Sequence, residues 1–281
     1  ERRSASRRPV RFGLTTNGSL LDDRVVSFLE EHRFRIQVSF DGLAQDLSRR
    51  KGSRRVLTER IARLLRSPAL QVETNSVFTP RTVTFLSGSL KLLHDLGVPE
   101  IHLSLSSLDP WPRAALAELR RQLRAYGRYA RSRPGPGGRP PLDLFRPANG
   151  NAVFICVAGS DRVAVAPDGT VWGCHLFIDH FWGRRRSTEA RRYNLGRIDR
   201  FQNPSPSRLA EIRAPYAGLS AFRFRTPDGP CWACPDVGDC AICPLDASPP
   251  GGEIGLIPAW TCRTEKILRE ARDWFQTIRA F

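Results

Sequence analysis

Between Cys231 and Cys243 the chain places four thiols, Cys231, Cys234, Cys240 and Cys243, spaced C-x2-C-x5-C-x2-C. A two-residue gap lets the backbone turn and aim both sulfurs at one point, so this run can converge on one or two metal centres. Cys156 and Cys174 precede the run and Cys262 follows it, and no cysteine occurs before residue 156. The thiols therefore belong to one module. Three chemistries could use them. Structural disulfides favour an even count and an oxidising compartment, whereas the count is seven and no signal peptide is visible. Zinc would be satisfied by the paired C-x2-C spacing. Iron and sulfide suit seven thiols with little histidine nearby equally well, with four thiols for one cubane and three for a second. Spacing alone leaves zinc and iron-sulfur open.

The first half must supply the scaffold, and its polar residues fall at the ends of apolar runs. Val10 to Thr15 is a short strand that stops at Thr16-Asn17-Gly18-Ser19, and Ser19 with Asp22 reads as a helix start before Leu21, Val25, Phe28 and Leu29. A second strand, Arg35 to Phe40, closes at Asp41-Gly42, and a polar loop from Ala44 to Gly52 leads to a helix bearing Leu57, Ile61, Leu64 and Leu65. A third, Leu70 to Phe78, precedes a helix with Leu86, Leu90 and Leu93 that ends at Gly97. The fourth, Ile101 to Leu105, precedes a helix carrying Leu116, Leu119, Leu123 and Tyr126. Four strand-helix units predict an α/β fold with a parallel sheet under covering helices. Ligands in such folds sit at the carboxyl ends of the strands. Thr15, Thr16, Asn17, Ser39, Asp41, Asn75, Ser106 and Ser107 are accordingly expected around one mouth, although Asn17-Gly18, Asp41-Gly42 and Ser19 each read equally as turn and cap chemistry.

Pro134 to Pro141 alternates proline and glycine and reads as a linker, which predicts domains over 1–133 and 134–281. Beyond it, Arg162 to Ala166 and Thr170 to Trp172 flank the turn signal Pro167-Asp168-Gly169 and predict a β-hairpin whose second arm delivers Cys174. Residues 183–230 lack periodicity and read as coil with one short helix near Leu209 to Ile212. From Thr264 onward Ile267, Ala271, Trp274, Phe275 and Ile278 form one apolar helical face. The net charge of +16 comes almost entirely from scattered arginine, since only Lys51, Lys91 and Lys266 are lysines. That pattern argues for a solvated surface, so no nucleic-acid partner is expected. No apolar run approaches the length of a membrane span, so no membrane partner is expected either. The 281 residues include no methionine and begin with glutamate, and a fragment of a longer protein is the expectation.

Taken together the two halves resemble radical S-adenosylmethionine (SAM) enzymes that carry a C-terminal SPASM domain. Cys156 is followed by twelve residues, Gly169, four more residues and Cys174; then come Cys231, Cys234, Cys240, Cys243 and Cys262. This follows the seven-cysteine SPASM pattern, except that two residues separate Cys240 from Cys243 where the pattern has three. Thr16-Asn17-Gly18 with Leu20-Leu21-Asp22 is similar to the family's T-N-G-x-L-L-D. Ser39-Phe40-Asp41-Gly42 with Gln45-Asp46 and Arg49 is similar to its S-x-D-G followed by H-D-x-x-R, glutamine standing in for histidine.

The resemblance tips the cysteine reading toward iron-sulfur. It implies the C-terminal part of a partial (β/α)6 radical SAM barrel, then a small irregular SPASM domain with a β-hairpin and a terminal helix. It implies that Ser39 and Arg49 hold the SAM carboxylate and that Thr16 and Asn17 lie near its ribose or adenine. One auxiliary [4Fe-4S] cluster would take Cys156, Cys174 and Cys243, with one iron open or held by another ligand, and a second would take Cys231, Cys234, Cys240 and Cys262. His175, next to Cys174, is a candidate proton acceptor. The family's C-x3-C-x2-C loop, which holds a third, catalytic [4Fe-4S] cluster, has no counterpart here, so the fragment itself is expected to be inactive. The implied enzyme is a cytoplasmic maturase of a ribosomally made peptide or protein, fed electrons by a ferredoxin or flavodoxin. A non-catalytic binding module holding zinc or iron-sulfur is the alternative.

Overall fold

The computed structural model describes residues 10–147, 153–160, 162–200, 206–248 and 251–278. The first unit alternates strands and helices: β1 (Gly13–Thr16), α1 (Asp23–Glu31), β2 (Arg35–Ser39), α2 (Gln45–Ser48), α3 (Ser53–Leu65), β3 (Gln71–Phe78), α4 (Leu86–Asp95), β4 (Ile101–Leu105) and α5 (Arg113–Ser132). The strands lie in the order β1-β2-β3-β4 and every pairing is parallel, with Gly13 opposite Arg35, Ile36 opposite Val72 and Thr74 opposite Ile101. A parallel sheet needs cover on its faces. Ile36, Val38 and Phe40 from β2 and its end, Ile61 from α3, Leu90 from α4 and Leu119 from α5 are all fully buried. Burial of each such side chain contributes about 1.5–3 kcal/mol.

Local chemistry corrects the expected helix start. Asp22, rather than Ser19, caps α1, its Oδ1 accepting from the Val25 amide at 2.8 Å. Ser19 instead donates to Asn17 Oδ1 from both its amide and its hydroxyl, at 3.0 and 2.8 Å. The polar loop after β2 also contains the single helical turn α2.

The boundary differs from the one expected at residue 134. One compact unit holds the described residues up to 106, 112–147 and 267 onward, and the other holds 107–111 and the described residues of 148–266. The proline-rich stretch is pinned to the first unit because the Ile101 amide donates to the Pro141 carbonyl at 2.9 Å and Leu142 bridges Ile101 in parallel. Phe145 is buried there, stacked 4.2 Å from Phe275 and 6.0 Å from Tyr126. That stacking also draws the chain's last helical turns into the first unit.

The second unit is built from short pieces: β5 (Ala164–Val165), β6 (Thr170–Trp172), α6 (His175–His180), α7 (Thr188–Tyr193), β7 (Asn194–Arg197), α8 (Pro206–Ala217), β8 (Arg225–Thr226), β9 (Gly229–Pro230), α9 (Pro244–Ala247) and the start of α10 (Ala259–Thr277). β5 and β6 form the expected hairpin, and β7 adds to it antiparallel. The described residues of 183–230 are thus more ordered than their sequence suggests, with α7, β7 and α8 among them. Their order comes from an aromatic core: Trp172, Phe177, Phe181, Tyr193 and Tyr216 are buried together. Tyr216 accepts from the Gly173 amide at 2.9 Å and donates to the Tyr193 carbonyl, tying hairpin, α7 and α8 together.

Candidate metal centres and cofactor pocket

Each thiol is placed by a turn or a helix start. Cys174 follows β6 and is the N-cap of α6, Cys243 is the N-cap of α9, and Cys156 is fixed by its amide donating to the Leu219 carbonyl at 2.9 Å. Within the central run the Cys234 amide turns back to the Cys231 carbonyl at 3.0 Å and the Cys240 amide to Val237 at 3.2 Å, while Cys262 lies in the first turn of α10. None of the seven is in a disulfide, and all are partly exposed.

They sort into two sets. Cys156, Cys174 and Cys243 pack against the aromatic core, whereas Cys231, Cys240 and Cys262 pack against a smaller core of Ala221, Phe224, Ile242, Ala247 and Ile257. Electrostatics follow the same division. Burial lifts the Cys156 thiol, and Cys174 and Cys243 lift it further. Burial also lifts Cys243, against the amide N–H groups of Asp246 and Leu245 that draw it down. Burial pushes Cys262 up to about 11, with Cys231, Cys240 and Cys234 adding to it. Burial raises Cys231 as well, helped by Cys240 and Cys234. Raised thiols stay protonated near neutral pH, so a metal must displace their protons to bind.

The spacing of the sulfurs tests which metal suits them. A tetrahedral zinc with Zn–S near 2.3 Å holds its sulfurs about 3.8 Å apart. Among the described residues, which include every cysteine, no three thiols bring their sulfurs within 4.8 Å of one another. A four-iron cubane, which places a separate iron before each thiolate, holds them farther apart. Thiols in sets of three and four suit iron-sulfur centres, and the paired C-x2-C spacing suits zinc as well. His175 is the exposed first residue of α6, directly after Cys174.

At the carboxyl ends of β1 and β2 a cavity of 640 Å³ is lined by Asn17, Arg49, Arg50, Lys51, Ser53 and Arg60 among others, and by no carboxylate. Such a lining suits an anionic ligand. Thr16 and Ser39 do not reach it: Thr16 Oγ1 accepts from the Gly18 amide at 3.1 Å, and Ser39 ends β2 opposite Asn75. Arg49 does line it, but Asp41 engages its guanidinium through Nε at 2.8 Å and Nη2 at 3.3 Å. Arg60, which the sequence reading passed over, donates to the Gly18 carbonyl at 2.5 Å and has no acidic partner among the described residues. Its position on α3 faced no motif, so only the folded geometry reveals it. Asn75 lies in β3 opposite Ser39 and accepts from Ser104 Oγ at 3.1 Å.

A second group, Glu73, Glu100 and His102, brings ligand atoms within 4.8 Å. Arg35 bonds Glu73 at 2.7 Å, Arg146 lies 3.2 Å from Glu100, and His102 Nδ1 lies 2.7 Å from Asp143. Positive charge is already supplied there by protein, which makes this a structural ion network.

No family model matches the sequence, and no curated protein matches it by sequence. Solved structures do match. "Native anSMEcpe with bound AdoMet", an anaerobic sulfatase-maturating enzyme of the radical SAM/SPASM type, aligns at TM-score 0.64 with 17% identity, covering 96% of this chain and 76% of that one. The radical SAM peptide modifier SuiB of Streptococcus suis, solved bound to precursor peptide SuiA, aligns at TM-score 0.50 with 13% identity, covering 84% of this chain and 55% of that one. The chain thus shares its fold with these two solved radical SAM enzymes.

Proposed function

We propose that the chain is part of a radical SAM maturase that modifies a side chain of a ribosomally made peptide or protein. The observation that carries this reading is the division of seven thiols into sets of three and four inside a chain with this fold. In this reading the four parallel strands belong to a radical SAM barrel, and the cysteine module is a SPASM domain. SAM and its catalytic cluster, when bound, supply a 5′-deoxyadenosyl radical that abstracts a substrate hydrogen. The chain's own residues position and shield that chemistry. In the basic cavity Arg60 is the better candidate for the SAM carboxylate, because Arg49 is already committed to Asp41. Asn17 lies in the same cavity, within reach of the sugar or base. Cys156, Cys174 and Cys243 would hold one auxiliary cluster and Cys231, Cys234, Cys240 and Cys262 the other, with His175 accepting a proton beside the first.

A peptide substrate is supported by the neighbour solved with its precursor peptide. Among the described residues no helix is long and apolar enough to cross a membrane. Thiolate-held clusters need reducing surroundings, which favours the cytoplasm and a ferredoxin or flavodoxin as electron donor. The test is made on the protein of the complete reading frame, reconstituted anaerobically with SAM and dithionite. Formation of 5′-deoxyadenosine supports the reading, and its absence from fully iron-loaded protein refutes it. Arg60→Ala is expected to weaken SAM binding by roughly 10- to 100-fold, the loss of one charged hydrogen bond of about 1.5–3 kcal/mol.

A further inference from the structure

We propose that the arginine turn after α6, centred on Trp182, is the docking face for a small acidic electron-carrier protein that reduces the neighbouring cysteine-held centre. This rests on the iron-sulfur reading above. The step moves one electron from carrier to centre, oxidising the first and reducing the second, and it makes or breaks no bond. Residues 184–186 are the only run of three consecutive arginines in the chain, and Arg191 and Arg192 follow on α7. Asp179 and Glu189 are the only acids between residues 175 and 192.

The charge there is concentrated and uncompensated. Trp182 is 64% exposed, and Arg184, Arg186, Arg191 and Arg192 are exposed with no ion-pair partner among the described residues. Arginines elsewhere are neutralised locally: on α5, Arg120, Arg121 and Arg133 face Glu270, Glu118 and Asp95. The patch is also held in shape. The Trp182 amide donates to the Asp179 carbonyl at 3.1 Å, that of Arg184 to Phe181 at 2.9 Å and that of Ser187 to Arg184 at 2.9 Å, while the Ser187 hydroxyl caps α7 by accepting from the Ala190 amide at 3.1 Å. Arg185 lies 4.3 Å over the Trp182 ring and binds Asp168, which fixes the turn to the β5–β6 hairpin. Holding side chains before contact cuts the entropy lost on association, and tryptophan and arginine are among the side chains that carry most binding energy at protein interfaces.

An acidic face complements this surface, and its position selects an electron carrier over other acidic partners. Cys174 is the N-cap of α6, and the six residues of that helix, about 9 Å at 1.5 Å each, lead straight to Phe181 and Trp182. The Phe181 ring stacks 5.7 Å from Trp172 and 5.9 Å from Tyr193, in the core against which Cys156, Cys174 and Cys243 pack. A carrier seated on the turn therefore stands one short helix from the three-thiol centre. Opposite charges also steer the encounter, so docking should be fast at low ionic strength and slow with added salt.

The test uses the protein of the complete reading frame, reconstituted anaerobically, with a reduced acidic [2Fe-2S] ferredoxin as the probe. Calorimetry reads binding, and stopped-flow absorbance reads reduction of the centres by ferredoxin or by dithionite. Arg184→Glu combined with Arg186→Glu is expected to weaken binding and to slow ferredoxin-driven reduction by about tenfold or more at low salt, within the range that steering supplies. Trp182→Ala is expected to weaken binding about 30-fold, the effect of losing one interface hot spot. Dithionite needs no docking face, so its rate should be unchanged in every variant. Ferredoxin binding should also be unchanged in Arg128→Glu, an exposed charge reversal on α5 outside the patch. Wild-type binding by the double reversal, a loss of the same size in Arg128→Glu, or equal capture of a decaglutamate peptide would overturn the docking face. Iron-free protein would overturn the iron-sulfur reading, while calorimetry decides the docking face on its own.

Discussion

Removing the Asp41 carboxylate should loosen the first unit more than any other single polar change in the S-F-D-G stretch. Asp41 is 1% exposed. Its Oδ2 accepts from Arg49 Nε at 2.8 Å and from Ser48 Oγ at 2.6 Å, and its Oδ1 accepts from the Val77 amide at 2.9 Å and from Arg49 Nη2 at 3.3 Å. One carboxylate therefore ties the end of β2 to β3 and to α2. Breaking a buried ion pair by deleting one partner costs about 3–5 kcal/mol. The Arg49 side chain is 30% exposed, so water can satisfy part of what it loses. About 3 kcal/mol is then expected for Asp41→Ala, which corresponds to roughly a hundredfold rise in local opening. Asp41→Asn keeps an acceptor for Val77 but offers the arginine a donor, and about 2 kcal/mol is expected. Arg49→Ala and Asp41→Ala together should cost clearly less than the sum of the two, because they share one pair. Hydrogen exchange read by mass spectrometry over 35–40 and 71–78 measures the opening directly. Protection in Asp41→Ala within threefold of wild type would refute the structural role and return Asp41 and Arg49 to ligand binding.

Three further outcomes are expected. Bonding to Asp143, opposed by burial, raises the His102 pKa, with Glu73 and Glu100 also favouring the charged form. Its stabilising contribution is therefore complete below the ordinary histidine pKa of about 6.5 and is lost as pH rises through the higher folded value. Exchange protection around Ile101 and Leu142 should fall between mildly acidic and alkaline pH, and His102→Gln should flatten that dependence. Gly42 has φ +60°, and an added Cβ would lie 2.4 Å from Ser89 Cβ and 2.7 Å from its Cα. Gly42→Ala should therefore cost at least about 2 kcal/mol in urea unfolding, combining left-handed strain with a backbone clash. Tyr216→Phe leaves the Gly173 amide without its acceptor and the Tyr193 carbonyl without its donor in a buried site. About 2 kcal/mol and faster exchange in the hairpin before Cys174 are expected.

The parallel sheet was legible because four apolar runs of strand length each lead into a helix-period pattern, and only a crossover can link parallel neighbours. What failed in the sequence were the places where a tertiary partner decides. Asp22 outcompetes Ser19 as a cap because Asn17 occupies the serine. The Pro134–Pro141 stretch carries the sign of a linker, yet Pro141 and Leu142 complete the free edge of β4. α7, β7 and α8 lack periodicity because their order is borrowed from Trp172, Tyr193 and Tyr216, which are far apart in sequence. In the cavity, Arg49 was the visible guanidinium because it belongs to a motif, whereas Arg60 faces Gly18 only after β1 and α3 come together. Cysteine spacing showed that metal chemistry was available. It could not show that Cys243 leaves its own run to join Cys156 and Cys174, since that depends on α9 packing against α6.

The most direct measurement is the iron and sulfide content per chain, with zinc assayed in parallel, after anaerobic reconstitution of the wild type and of Cys174→Ala and Cys234→Ala. About eight irons and eight sulfides are expected in the brown wild type, with each variant losing about half and keeping the spectrum of the other centre. Stoichiometric zinc without sulfide, or the loss of all iron from either single variant, would contradict the two-centre account.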